Sequence, residues 1–265
     1  MKSFTLLLLM ALMLAAGCRA PGPGQEVDTR SVAATPRPEP GTPAERARAH
    51  TELGASYLQI GRFGVALQEL QEAIKADPGY VPAHSTLGLV YMELREDAKA
   101  KASFERALKI DPADSDTNNN YGLFLCDRKK EKEGVRYFLA ALKNPLYATP
   151  EDSYVNAGIC SRRAGDDAAA QLYLERALKI QPNDGRALVH LARVHFDRRQ
   201  MNLAKSYMTK FMQNSKNADA ASLWLAARIE QALGDRAAVA SYGSQLKSKF
   251  PDSQEARLFT EGIFE

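Results

Sequence analysis

The side chains best suited to chemistry in this chain are three cysteines and four histidines, and their spacing argues against catalysis. The closest histidines lie five residues apart, so a helix would not place both on one face as a spacing of four would. The sequence contains no H-E-x-x-H, G-x-S-x-G, C-x-x-C or glycine-rich phosphate-binding motif. We therefore predict a protein that is not an enzyme and takes no metal, cofactor or small-molecule substrate. The histidines are His50, His84, His190 and His195.

Residues 1–17 have the organisation of an export signal. Lys2 supplies a positive charge, an apolar run follows, and small residues immediately precede Cys18. The apolar run is too short to cross a bilayer comfortably. A cysteine at this place resembles the bacterial lipoprotein signal, although Ala15 stands where that signal prefers Leu. We predict lipidation of Cys18; the alternative is an ordinary cleaved signal followed by an incidental cysteine.

Residues 18–43 are predicted to form a disordered linker. Six prolines alternate with Gly, Ser, Thr and Ala, so the stretch contains too little apolar surface to fold. Such a linker would hold a folded body, residues 44–265, away from a membrane. Arg19 follows Cys18 and is not Asp, which by the same resemblance to lipoprotein sorting favours the periplasmic face of the outer membrane.

A repeat of 34 residues organises the rest of the chain. Two successive units are similar to the tetratricopeptide pattern: Leu-Gly, an aromatic residue three positions later, small and bulky residues on a second helix, and a closing Pro. Four weaker units follow, and the third unit of the six contains an inserted turn. The units are residues 47–80, 81–114, 115–150, 151–184, 185–219 and 220–253.

The recurring positions have local physical reasons. Gly54 and Gly88 stand where the two helices of a repeat should approach most closely, because a side chain there would push the helices apart. Pro78 and Pro112 should end the second helices, since proline lacks the amide hydrogen. One repeat cannot cover its own apolar face, so the stack is the stable unit. The sequence predicts an all-α, right-handed tetratricopeptide-repeat solenoid of about six helix-turn-helix repeats.

The C-terminal residues are predicted to close this stack. A terminal repeat leaves one apolar face uncovered, and solenoids need a cap there. Residues 254–265 are predicted to form a capping helix in which Leu258, Phe259 and Ile263 cover the last repeat.

Cys126 and Cys160 fall near the ends of the first helices of adjacent repeats. Those helices should pack side by side, and an exported protein meets an oxidising compartment, so we predict a disulfide between them. The bond would close a loop of 34 residues and stabilise the fold by about 3–4 kcal/mol. The alternative is two buried thiols that act as small apolar residues.

The concave wall of the first four repeats is predicted to be largely apolar. Helical spacing places these side chains on the inner face of the first helices, and a continuous apolar strip on a solenoid usually receives a partner segment. Further along, the same positions carry Arg162, Arg193 and Phe196. Periodicity alone does not separate groove from core, so a core position stays open for each residue. The predicted partner-binding residues are Leu58, Leu89, Met92, Leu123, Val155 and Ile159.

The charge pattern argues against a nucleic acid partner. The chain has 35 Lys and Arg against 32 Asp and Glu, a net charge of +3. The charges are interspersed, and no basic run is long enough to follow a phosphate backbone.

Several segments go beyond a generic repeat. Residues 119–126, 144–147, 156–160 and 240–251 resemble the type IV pilus biogenesis lipoproteins called PilW or PilF, and the resemblance extends over essentially the whole chain. It implies a pilotin, an outer-membrane lipoprotein that binds the secretin subunit of the pilus and promotes its outer-membrane localisation and multimerisation. Some members join the third and fourth repeats by a cysteine pair, which would correspond to Cys126 and Cys160. The alternative is a periplasmic repeat adaptor for another envelope or cell-wall assembly complex.

Overall fold

The computed structural model describes residues 41–214 and 218–264. The predicted signal, Cys18 and most of the predicted linker lie outside these residues. Within them the chain forms thirteen α-helices and no strand. The first helices of the repeats are α1 (Pro43–Gln59), α3 (Val81–Glu93), α5 (Ser115–Asp127), α7 (Pro150–Arg163), α9 (Gly185–Asp197) and α11 (Ala220–Leu233). The second helices are α2 (Phe63–Ala76), α4 (Asp97–Ile110), α6 (Glu131–Ala141), α8 (Asp167–Ile180), α10 (Met201–Asn214) and α12 (Arg236–Lys249), and α13 (Gln254–Glu261) follows.

Each first helix packs against its own second helix, and each second helix also contacts the first helix of the next repeat. This arrangement of six helix pairs confirms the predicted all-α repeat solenoid. Helix α1 begins at Pro43, the last residue of the predicted linker, where the Thr42 side chain accepts a hydrogen bond from the Glu45 amide and the Glu45 carboxylate accepts one from the Thr42 amide. This reciprocal cap satisfies two amides that the first helical turn leaves unpaired.

The glycines predicted at the closest approach of the two helices are confirmed there. A Cβ atom on Gly88 would lie 2.6 Å from the Phe104 ring, and one on Gly122 would lie 2.7 Å from the Phe138 ring. Both distances are shorter than carbon atoms tolerate. The bulky residue of the second helix therefore occupies the space that a side chain on the glycine would need.

The turn inside each repeat contains one residue in the left-handed backbone region. Glycine supplies it in the first, fourth and sixth repeats, and Arg95, Lys129 and Arg199 supply it in the others, with φ values of 60°, 58° and 60°. A residue with a Cβ atom pays about 1 kcal/mol or more for this conformation. The three non-glycine turns therefore keep the geometry of the repeat at a local cost.

The C-terminal cap completes the sixth repeat with a side chain from outside it. Gly243 occupies the position at which the other second helices carry a bulky residue, and a Cβ atom there would lie 1.8 Å from the Phe259 ring of α13. Leu258 and Phe259 pack on the core cluster of the last two repeats, as predicted. The prediction for Ile263 is wrong, because this side chain is 45% exposed; Phe264 instead stacks on Trp224 with ring centroids 5.1 Å apart.

Candidate interaction groove

The first helices line the inner side of the solenoid. Consecutive first helices contact one another from α1 to α11, whereas consecutive second helices in the described part of the chain make no such contacts. A stack whose first helices are closer together than its second helices must curve towards the first helices. Side chains that leave the first helices away from the second helices therefore face the concave groove.

Five of the predicted groove residues are half-buried on these first helices: Leu58, Leu89, Met92, Leu123 and Ile159, which we term the apolar half of the groove. Each side chain packs partly against a cluster of buried core residues and leaves the rest of its surface accessible to solvent. Partial exposure of neighbouring apolar side chains is the arrangement that a docking surface requires.

The prediction that Val155 lines the groove is wrong. Val155 has no exposed surface and packs with Leu174, Leu191 and Val194 in the core between the fourth and fifth repeats. The side chain points towards the neighbouring helices instead of the groove, so it supports the scaffold and is not available to a partner.

Cys126 and Cys160 form a disulfide, with Cα atoms 5.9 Å apart. The bond joins α5 to α7, and both cysteines are buried beside Phe138 and Ala157. It ties the third repeat to the fourth on the first-helix side of the stack, where the apolar half ends.

Polar contacts also fix the first helices beside the apolar half. The Asn119 side-chain oxygen accepts hydrogen bonds from Ser153 Oγ and Asn156 Nδ2, both at 3.0 Å, and Asn120 Nδ2 donates to Ser85 Oγ at 3.2 Å. These bonds run from α3 to α5 and from α5 to α7. The asparagines therefore align neighbouring first helices through these side-chain contacts.

The groove changes character after Ile159. Arg162, Arg186, Arg193 and Arg228, which we term the basic half, lie on α7, α9 and α11. Arg186 pairs with Asp152 and lies 3.7 Å from Asp184. Arg162 and Arg193 were expected here from the sequence. Arg186 and Arg228 were not, although both occupy inner positions of the same repeat pattern.

Electrostatic effects in the basic half fall on two neighbouring groups of α9. Burial, reinforced by Arg162, Arg163, Arg193 and Arg186, lowers the pKa of His190 to about 4. Burial also lowers the pKa of Arg193, with the charges of Arg162 and Arg228 acting in the same direction and Asp197 opposing them. Positive charge is therefore concentrated on this stretch of the groove.

Residues 41–214 and 218–264 bring together no group of three or more His, Cys, Asp or Glu side chains that could hold a metal ion. In the same residues, no helix combines the length and the apolar character needed to span a bilayer.

Helix pairs stacked around a groove define a tetratricopeptide-repeat protein, a class built to bind other proteins. The tetratricopeptide repeat family matches residues 57–119 and 151–184. The chain is 31% identical over 211 residues to the type IV pilus assembly protein PilF of Pseudomonas aeruginosa, covering 80% of this chain and 83% of that protein. The chain belongs to this PilF/PilW family of type IV pilus biogenesis proteins.

Two solved structures agree with this assignment. The crystal structure of PilW, described as a widely conserved type IV pilus biogenesis factor, is 34% identical with a TM-score of 0.75, covering 81% of this chain and 98% of that one. The structure of Pseudomonas aeruginosa PilF is 30% identical with a TM-score of 0.76, covering 83% of this chain and 99% of that one. The similarity thus extends over the whole repeat array of both relatives.

Proposed function

We propose that this protein is a non-catalytic pilotin, an outer-membrane lipoprotein that binds the secretin subunit of the type IV pilus and promotes its localisation and multimerisation. Membership of a pilus biogenesis family supports a role in building the type IV pilus, and the groove supports binding of a protein partner. The observation that carries the proposal is the apolar half, in which partly exposed leucine, methionine and isoleucine side chains run across four successive first helices. The family relationship favours this role over an adaptor for a cell-wall complex.

In this proposal the apolar half receives an apolar segment of the secretin subunit. Each Leu or Ile that loses its remaining water contact on binding would contribute on the order of 1 kcal/mol. Three of the four helices that carry these residues, α3, α5 and α7, are fixed by the disulfide and by the asparagine contacts, so little ordering of this part of the groove is needed on binding.

The lipid on Cys18 would supply the membrane address. Residues 1–17 have the sequence organisation expected of a lipoprotein signal, and the proline-rich stretch that follows would let the groove reach a partner while the lipid stays in the outer membrane. Mass spectrometry of the mature N terminus tests this step. We expect an acylated Cys18 as the first residue; an unmodified N terminus at another residue would exclude it.

The groove is tested by charging its apolar half. We expect Leu89→Asp and Leu123→Asp together to abolish detergent-resistant secretin multimers, because a carboxylate desolvated against an apolar segment has no partner. The matched control is Leu172→Asp together with Leu203→Asp, which places the same two charges on the second helices α8 and α10, where the two leucines are 47% and 48% exposed.

Circular dichroism should show that the unsubstituted protein, the groove variant and the control variant are all folded. If the groove variant is folded and secretin multimers still form at the control level, the proposed groove is wrong.

A further inference from the structure

The basic half contains guanidinium groups that form no close ion pair with a carboxylate of residues 41–214 and 218–264. Among the described residues, Arg193 and Arg228 pair with no carboxylate, whereas Arg186 is paired to Asp152. Arg162 lies 3.9 Å from Asp197, and its buried Nε atom has no hydrogen-bond partner within the described part of the chain. A buried polar atom without a partner is uncommon in folded proteins and calls for an explanation, such as a bound water molecule or ion.

These groups are held in place by their surroundings. The Arg228 guanidinium lies 4.7 Å from the centre of the Phe196 ring, and its Nε atom donates a hydrogen bond to the Phe264 carbonyl oxygen at 3.1 Å. Arg193 is half-buried beside these residues. Because both arginines are partly ordered before a ligand arrives, an anion would lose less free energy in fixing them.

The three arginines are distributed one to each of three neighbouring first helices. Arg162, Arg193 and Arg228 lie on the consecutive first helices α7, α9 and α11. Axes of packed helices are about 8–10 Å apart. A segment in polyproline II conformation has three residues per turn and rises about 3.1 Å per residue, so every third side chain points to the same side, about 9 Å from the previous one, and would meet the next arginine.

We propose that the basic half binds an acidic segment of a protein partner in polyproline II conformation, in which carboxylates about three residues apart pair with Arg162, Arg193 and Arg228. Guanidinium groups suit this ligand because their planar forks pair with both oxygens of a carboxylate. The proposal concerns a surface separate from the apolar half and does not depend on secretin as the partner.

The test measures fluorescence anisotropy of labelled, end-blocked peptides with the full chain in detergent. The first probe is three repeats of Asp-Gly-Ser. The second replaces every Asp by Asn, and the third has the composition of the first with its three Asp residues placed side by side. We expect the first probe to bind most tightly and its binding to weaken as salt is added. Equal binding of the Asp and Asn peptides would overturn the proposal. Equal binding of the two Asp peptides would overturn the proposed spacing of three residues between carboxylates.

A pair of substitutions locates the site. We expect Arg193→Gln to weaken binding of the first probe about tenfold. Arg106→Gln, which removes an exposed arginine of the second helix α4, should leave binding unchanged. If both variants bind as the unsubstituted chain does, the basic half is not the site.

Binding to phosphatidylglycerol vesicles tests whether the basic half binds an anionic membrane surface instead of an acidic protein segment. A loss of vesicle binding by Arg193→Gln without a loss of peptide binding would contradict the proposal.

Discussion

The apolar half and the basic half of the groove are built on the same helix positions of the same repeat but present different chemistry. Leu89 and Arg193 occupy equivalent places on first helices of the second and fifth repeats. The packing positions, such as Gly88 against Phe104, fix how helices pair, whereas the inner positions are free to vary. One scaffold can therefore hold two adjacent surfaces, and the Cys126–Cys160 disulfide lies where they meet.

Removing that disulfide should have the largest effect on stability. Replacing both Cys126 and Cys160 by Ser releases a 34-residue loop of the unfolded chain, so we expect the free energy of unfolding to fall by about 3–4 kcal/mol. Urea unfolding followed by circular dichroism measures the change. The unsubstituted chain in reductant is the control and should lose a similar amount. An unchanged urea midpoint in both samples would show that the two halves do not need the bond.

Acid should weaken the basic half in particular. The ordinary pKa of His190 is 6.5, and in the folded protein it is lowered to about 4. Folding therefore favours the neutral imidazole of His190. The stabilisation of the folded state that follows from this preference is complete above pH 6.5 and is lost as the pH falls towards 4. We expect on the order of 3 kcal/mol of stability to disappear across this range.

His190→Gln isolates this contribution, because a glutamine does not titrate. The variant should show a smaller loss of stability between pH 6.5 and 4, measured by urea unfolding at several pH values. His84→Gln, in the second repeat, is the control: the His84 ring hydrogen-bonds to the Pro78 carbonyl oxygen and forms no ion pair within the described residues, so this variant should keep the full dependence. If the two variants respond alike, the pH dependence does not come from the basic half.

The smallest predicted change is a gain in stability from glycine in the turns, and it should be equal in the two halves of the groove. Lys129 and Arg199 hold φ values of 58° and 60° in corresponding turns, so glycine should relieve strain in each. Part of that gain is offset because glycine loses more backbone freedom on folding, leaving about 0.5–1 kcal/mol of stabilisation. Thermal unfolding of Lys129→Gly and Arg199→Gly measures it, and Gly165→Ala should lose stability instead. Unequal gains would mean that the turns of the two halves are not equivalent.

The fold was predictable because its positions have local causes. A glycine that admits a neighbouring ring and a proline that ends a helix can be recognised by spacing alone, and the structure places Gly54, Gly88, Gly122 and Gly158 where that spacing requires. The cap was only partly predictable. Phe259 fills the space above Gly243, but the direction of the chain after Gly262, which turns Phe264 inward and Ile263 outward, has no periodic signal.

The groove was less predictable, since a period of 3.6 residues identifies a helix face but not what covers that face. Val155 shows the consequence: it shares its place in the repeat with Asn119, yet neighbouring helices enclose it completely. The basic half depends on three different repeats, so its charges are far apart in sequence and close only after stacking. Reading one inner position of every repeat in turn would have revealed Arg228 beside Arg193.

Photo-cross-linking in piliated cells tests most directly whether the groove escorts the secretin subunit. A photoreactive amino acid is placed at position 89 in the apolar half, and separately at position 203 on the exposed face of α10. We expect the protein with the probe at position 89 to cross-link to the secretin subunit and the protein with the probe at position 203 not to do so. No secretin adduct from position 89, or equal adducts from both positions, would contradict binding in the groove.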